Sequence, residues 1–426
     1  MKIFSRILPS DNSEISGSKL HMNSHRARRS RSTKVGAVAP VDRALRCTMA
    51  TPCGAAASKS GFTILELLVS VTVLLIVMGF LLQLTGGIGE IWKSSSGKIS
   101  GFQNARSAFA SITRTLSLAT LNTYNDYVNT AGEPRTEVNR NTFVPANFAR
   151  ASELHFLSGP ATSIIPGATA SLNPGQAIVF QAPLGVTDNT NLSSLNRTVN
   201  SVGFFIQYAT TDETLLPAWL RDIFRTEHRF RLVQVVEPTE KLKVYDSTKN
   251  ANYTNTWLGA FTTPPAANNP RARVLAEDVC LLVFRPRLSP KDEESAATQL
   301  SEVYTDDKIG SILTPNYHYD SRAWQNGYPA GRVSPAKRAA IMRNQIPPIV
   351  DVAMVSVDRR SLARFDVKSA TPPSEFAVPA GLFTDASQFE QDLTTYSSQL
   401  TNASIRHRIF RTSVELQGAK WSNTAN

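Results

Sequence analysis

Lys59-Ser60-Gly61-Phe62-Thr63-Ile64-Leu65-Glu66-Leu67-Leu68-Val69-Ser70 opens a long apolar stretch and sets one carboxylate near its start. Between Phe62 and Trp92 there is no Lys or Arg, and Glu66 and Glu90 are the only charges. A run this apolar predicts a helix long enough to cross the roughly 30 Å hydrocarbon layer of a bilayer. A carboxylate at the centre of such a helix costs about 2.5 kcal/mol or more, and ionisable groups in membrane helices usually mark a function. The helix itself supplies no cation, so the partner of Glu66 must come from elsewhere.

The stretch resembles the N-terminal signature of type IV pilins and pseudopilins: a basic leader ending in Gly, then Phe, then a hydrophobic helix whose fifth residue is Glu. Gly61, Phe62 and Glu66 fall on those positions, and Thr63, Ile64, Leu65, Leu67, Leu68 and Val69 fill the rest. The resemblance implies that a prepilin peptidase cuts after Gly61 and methylates the new amine of Phe62. It also implies that Glu66 pairs with that amine on a neighbouring pilin or pseudopilin subunit as a filament grows from an inner-membrane assembly platform. Breaking such a buried pair typically costs about 3–5 kcal/mol, because one charge is left alone. The alternative is an ordinary signal anchor or signal peptide. A secretory signal carries its small residues after the apolar core, whereas here Gly54, Ala55, Ala56, Ala57 and Ser58 precede it. A plain anchor has no use for Glu66.

The formal net charge of +11 over 426 residues would ordinarily point to an anionic partner. Residues 1–61 hold 11 Lys/Arg against 3 Asp/Glu, and the remainder holds 34 against 31. The part beyond the leader is therefore near neutral, and no nucleic-acid partner is expected. The basic leader fits the positive-inside rule, which predicts a single-pass inner-membrane protein with a cytoplasmic N-terminus and a periplasmic head. Extraction into a periplasmic or cell-surface filament would follow. The leader is long for the family. Arg26-Ala27-Arg28-Arg29-Ser30-Arg31 lies too far from the apolar run for a twin-arginine signal. Initiation at Met49 would leave a short leader with Lys59 as its basic residue, and a functional extension is the alternative. Cys47 and Cys53 precede the cleavage site, so Cys280 is left alone and reads as buried packing.

The expected organisation is a leader over 1–61, a long helix over 62–121 that spans the membrane in 62–84, and an extracytoplasmic head over 122–426. After Leu84, Gly86, Gly87 and Gly89 are expected to interrupt the helix. An amphipathic half follows with Ile88, Ile91/Trp92, Ile99, Phe102, Ala105, Phe109, Ile112, Leu116 and Ala119 at helical spacing. It would expose Lys93, Lys98, Arg106 and Arg114. From about Asn122 short β-type runs appear at 154–157, 177–180, 202–208, 230–236, 279–284, 350–357 and 409–416. Several alternate apolar with polar residues, as half-buried antiparallel strands do. Helices are expected at 335–343 and 387–400, and long polar connections at 185–200, 249–272 and 286–330. The fold class is α+β: a pilin-like long helix packed on a large antiparallel-sheet head. This also resembles the heads of J-type minor pseudopilins. The length and the segments 231–245 and 347–360 resemble the prepilin-like family Verru_Chthon cassette protein C.

The head offers no enzyme motif. His155, His228, His318 and His407 are scattered, with no H-x-x-x-H or Cys at metal spacing, and there is no G-x-S-x-G elbow or Walker loop. Asp188-Asn189-Thr190-Asn191 is oxygen-rich enough for Ca²⁺ but lacks EF-hand spacing, and turn chemistry explains it more simply. Asp292-Glu293-Glu294 reads as a solvated surface. Trp219, Trp257, Trp324 and Trp421 read as core rather than a binding groove. No catalytic, cofactor-binding or metal residue is assigned; the sites are Gly61 and Phe62 for processing, Phe62 for methylation and Glu66 for assembly. Two rivals stand against a filament subunit. An anchored enzyme would show a cavity joining His, acid and Ser or Cys, and an anchored ligand- or DNA-binding module would show a local basic face.

Overall fold

The computed structural model describes residues 61–210, 227–246, 255–262, 271–292, 313–314, 316–323, 342–362, 364–366 and 368–422, with the side chains at 87 and 89–100 not included. The leader with Lys59, Met49, Cys47 and Cys53, the expected helix at 335–341, and Trp219, Trp324, Glu293 and Glu294 lie outside the described residues. The chain divides into two compact units, Met1–Leu74 and Leu75–Asn426.

In the first unit, helix α1 (Ile64–Ser117) begins. Every side chain of its apolar part, Ile64–Gly86, is exposed. Such a surface is unstable in water and suited to lipid. Its hydroxyls turn inward: Ser70 donates to the Leu67 carbonyl at 2.9 Å and Thr72 to that of Val69 at 2.8 Å. These back-bonds return the Ser70 and Thr72 hydroxyls to the helix backbone, so that Gln83 carries the side-chain amide of this segment outward.

In the second unit α1 continues without a break to Ser117, so the expected interruption at Gly86–Gly89 does not occur. Each Gly costs a helix only about 1 kcal/mol relative to Ala, keeps its N–H, and no Pro is present to remove one. Ala105, Ala108, Phe109, Ile112 and Leu116 form a buried stripe, while Arg106 and Arg114 are exposed. Full burial of Ile112 and of Leu116 is worth about 1.5–3 kcal/mol each.

That stripe packs on a three-stranded antiparallel sheet in the order β11 (His407–Glu415), β10 (Ile349–Val357), β8 (Val279–Arg287). Phe109 of α1 meets Phe410 on one face of it, ring centroids 5.9 Å apart. The short helices α2 (Ala161–Ile164) and α3 (Arg359–Leu362) precede α4 (Phe389–Asn402) in the chain. The other face of the sheet carries α4, reached by His407 at Ser397 (2.7 Å) and by Arg285 over the Phe389 ring (4.5 Å). Phe410 on one side and His407 and Arg411 on the other follow the period-2 pattern of a strand, here a half-exposed edge strand.

A second, six-stranded sheet has the order β7 (Ala272–Glu277), β6 (His228–Glu237), β5 (Asn200–Thr210), β4 (Gln176–Ala182), β3 (Leu157–Pro160), β9 (Tyr319–Asp320). All its pairs are antiparallel. The chain crosses from one sheet to the other at a single residue, Asp278, which takes φ 61° between β7 and β8. The sheets approach closely where Gly175 stands, since a Cβ there would lie 2.5 Å from the Leu282 carbonyl oxygen, and its φ of +81° is one L side chains rarely adopt. A small hairpin of β1 (Tyr124–Val128) and β2 (Asn147–Ala151) follows α1.

The α+β class and six of the seven expected strands match this architecture, as does helix α4. The exception is 154–157: the strand starts only at Leu157. The backbone N–H groups just before it are taken by side chains, Leu154 by Ser152 Oγ, His155 by Gln181 Oε1 and Phe156 by Ser321 Oγ, all within 3.0 Å. The connection 185–200 is tied down by Asn200, whose amide bonds both N–H and C=O of Val186.

Candidate processing and assembly site

Gly61, Phe62 and Glu66 sit together at the start of α1. Thr63 is the residue before the helix, and its carbonyl accepts the first helical bond, from Leu67 N at 3.2 Å. Its Oγ1 accepts from the Glu66 N–H at 3.3 Å. Thr63-Ile64-Leu65-Glu66 is therefore a capping-box sequence with Glu66 at the third helical position. The cap holds Gly61 and Phe62 outside the helix, where Phe62 is 79% exposed and no atom lies within 4 Å of a Cβ built on Gly61. The Glu66 carboxylate belongs to the first turn, where the positive end of the helix dipole favours an anion. The T-x-x-E spacing was present in the sequence as the signal for this cap.

The head gathers His155 and the largely buried His318 around one carboxylate, Asp320. His155 Nε2 lies 2.6 Å from Asp320 Oδ1, and Trp257 Nε1 donates to His155 Nδ1 at 3.2 Å. Because the indole can only donate, Nδ1 is the acceptor and Nε2–H is directed at Asp320. Both ring nitrogens are thus committed inside a fully buried cluster, and neither is left to move a proton on a substrate. Burial holds the His155 pKa below its ordinary value against the opposing pull of Asp320, and despite its own burial the Asp320 carboxyl is held low by His155. Arg322 closes the cluster: its N–H donates to Asp320 and its Nη2 to the Glu153 carbonyl at 2.6 Å. His155, Trp257 and Asp320 are far apart in sequence, so no spacing announced them.

The remaining candidates are placed as follows. His228 stacks on Tyr208 at 5.7 Å, away from the His155 cluster. Asp188 pairs with Lys241 at 2.6 Å, and Asn189 Oδ1 accepts from Asn191 N at 3.0 Å. These side chains serve the turn. Asp292 accepts from Ser289 Oγ at 2.6 Å. Cys280 is buried against the Val355 carbonyl, and desolvation pushes its thiol up to about 12, which makes it a packing residue and a poor nucleophile. Trp421 is half-buried beside the core. No group of three or more metal-ligating side chains occurs among the described residues.

Residues 57–82 match the family described as the prokaryotic N-terminal methylation motif. The match spans the processing site, Glu66 and most of the apolar part of α1. It supports a type IV pilin-like precursor, with one apolar helix consistent with a single-pass membrane anchor. No curated protein and no solved structure is significantly similar to the chain.

Proposed function

We propose that this chain is a minor pilin or pseudopilin: a structural subunit cut between Gly61 and Phe62, N-methylated at Phe62 and assembled into a type IV pilus-like or type II secretion-like filament. The observation that carries the reading is the start of α1. A capped helix places one carboxylate, Glu66, a turn from Phe62 in a segment without any cation up to Trp92. Cleavage creates an amine in that apolar zone, and Glu66 of an adjacent subunit neutralises it. The large head is of the size of J-type minor subunits and of Verru_Chthon cassette protein C, and makes contacts along or at the tip of the fibre without catalysis.

The test is recruitment. Glu66→Ala should insert, be cut and keep a protease-resistant head, yet crosslink poorly to neighbouring prepilin-like subunits, with Glu66→Asp in between because the charge stays while its reach shortens. Equal crosslinking of wild type and Glu66→Ala would remove the assembly role.

A further inference from the structure

We propose that an arginine-lined cleft at the end of the head from which α1 departs binds the phosphate headgroups of anionic phospholipids in the membrane that holds α1. The cleft has a volume of about 710 Å³ and is lined by Arg360, Arg364, Arg406 and His407 together with the hydroxyls of Ser361, Thr401 and Ser404. Two short basic runs build it, Arg359-Arg360-Ser361-Leu362-Ala363-Arg364 and Arg406-His407-Arg408, neither of which contains an acid. Asp358 is the one acid in the lining, and its Oδ1 accepts from the Arg360 backbone N–H at 3.3 Å. Arg364 is partly used, donating to the Ser404 carbonyl at 2.7 Å beyond the end of α4. The guanidinium groups of Arg360 and Arg406 have no partner among the described residues. Arginine forks of this kind suit phosphate oxygens.

The position of the cleft decides the occupant. Strand β11 lies antiparallel to α1: its far end meets Ser117 through Gln417 N at 3.0 Å, and Phe410 meets Phe109 midway. The near end of β11, with Arg406 and His407, therefore lies on the side where α1 leaves the head. A second cleft joins Gly101 and Phe102 of α1 to Asp358 and Arg359, and shares Asp358 with the first. Gly101 follows Gly86, where the apolar span ends, by 15 residues, about 22 Å of helix. The headgroup layer occupies about 6 Å of that, and the usual tilt of about 20° lowers one side of the head further. That leaves about 16 Å to Gly101 itself, so it is the lowered side of the head, extended by the length of its arginine side chains, that comes within the roughly 8–10 Å over which an anionic surface is felt. Nucleic acid fits less well. No Phe, Tyr or Trp lines the cleft for base stacking, and the chain beyond the leader is near neutral, so little counterion release is available.

The proposal rests on the membrane anchor proposed above, which co-elution of the chain with lipid nanodiscs checks separately. The experiment is amide hydrogen exchange of the full chain in discs of phosphatidylcholine alone and in discs containing about one-third phosphatidylglycerol. Peptides covering Arg360 and Arg406 are expected to exchange several-fold more slowly in the anionic discs at low salt, with the difference lost in 0.5 M NaCl. The double variant Arg360→Gln/Arg406→Gln should lose that protection while exchange in β5 and β6 stays as in wild type. Equal exchange in both discs, or full protection retained in the double variant, would overturn the proposal. So would equal protection in neutral discs by added inorganic phosphate, which would make this an ion site, or protection by added duplex DNA alone, which would make it a nucleic-acid site.

Discussion

The two ends of α1 obey different solvents. From Ile64 to Gly86 every side chain is exposed and apolar residues surround the helix, whereas from Ala105 to Leu116 apolar residues are confined to one stripe that the sheet β11-β10-β8 covers. One continuous helix thus passes from a rule of composition, in which almost any apolar residue serves, to a rule of shape, in which volume and position matter. Substitutions should separate the two regimes.

The largest expected effect is at the boundary of the first regime. Gly61→Val should abolish processing, because a branched side chain beside the scissile bond crowds the peptidase; N-terminal sequencing of wild type should begin at methylated Phe62, and the variant should retain its leader. Next, Ile112→Ala should destabilise the head by about 2–5 kcal/mol through a cavity under the stripe, while Leu75→Ala should leave the head unchanged. Denaturant titration of both variants in the same detergent checks this, and equal losses would erase the distinction between the halves.

A smaller effect is expected within the head and depends on pH. Glu237 is fully buried, and desolvation raises its pKa to about 7 against the opposing pull of Arg271 and of the Lys243 backbone. A raised carboxyl pKa favours the folded state while the group is protonated, and that contribution is lost as pH climbs from about 4.5 through 7. Glu237→Gln should therefore stabilise the head by about 1–3 kcal/mol at pH 8 and by little at pH 5, as read from thermal unfolding. His155 works in the opposite sense. Its lowered pKa means the unfolded chain takes up a proton first, so stability should fall as pH drops below about 6.5. The smallest effect is Thr63→Val, which removes the cap at a cost of about 0.5–2 kcal/mol; amide exchange at Glu66 should quicken while head stability is unmoved.

The contrast between the halves also explains what was legible in the sequence. The absence of cations between Phe62 and Trp92 and the 3–4 spacing of Ala105, Phe109, Ile112 and Leu116 are local signals, and both described an element that formed. Strands β4, β5, β6, β8, β10 and β11 were readable because each is a concentrated apolar or alternating run. β9 is two residues long, and β7 is a half-exposed edge, so neither carries enough apolar repetition to stand out. The His155–Asp320–Trp257 cluster was illegible for a different reason: the pairing of β3 with β9 brings His155 to Asp320, and Trp257 arrives separately from the segment Asn255–Phe261. The arginine cleft was half legible, since its two basic runs are plain in the sequence but their meeting depends on where β11 begins relative to the turn after β10.

The order of strands has a consequence for the timing of folding. β3 to β7 pair in chain order, each antiparallel neighbour closing on the one before it, so most of the six-stranded sheet can form before the later strands are in place. The surface that receives α1 is different. It needs β8, β10 and finally β11, which ends at Glu415, a few residues before the end of the described chain. Until that last strand is in place, the stripe from Ala105 to Leu116 lacks part of its seat. A chain in which β11 is not yet paired therefore leaves this apolar stripe partly uncovered, while one with β11 in place covers it, so exposure of the stripe reports whether the three-stranded sheet is complete.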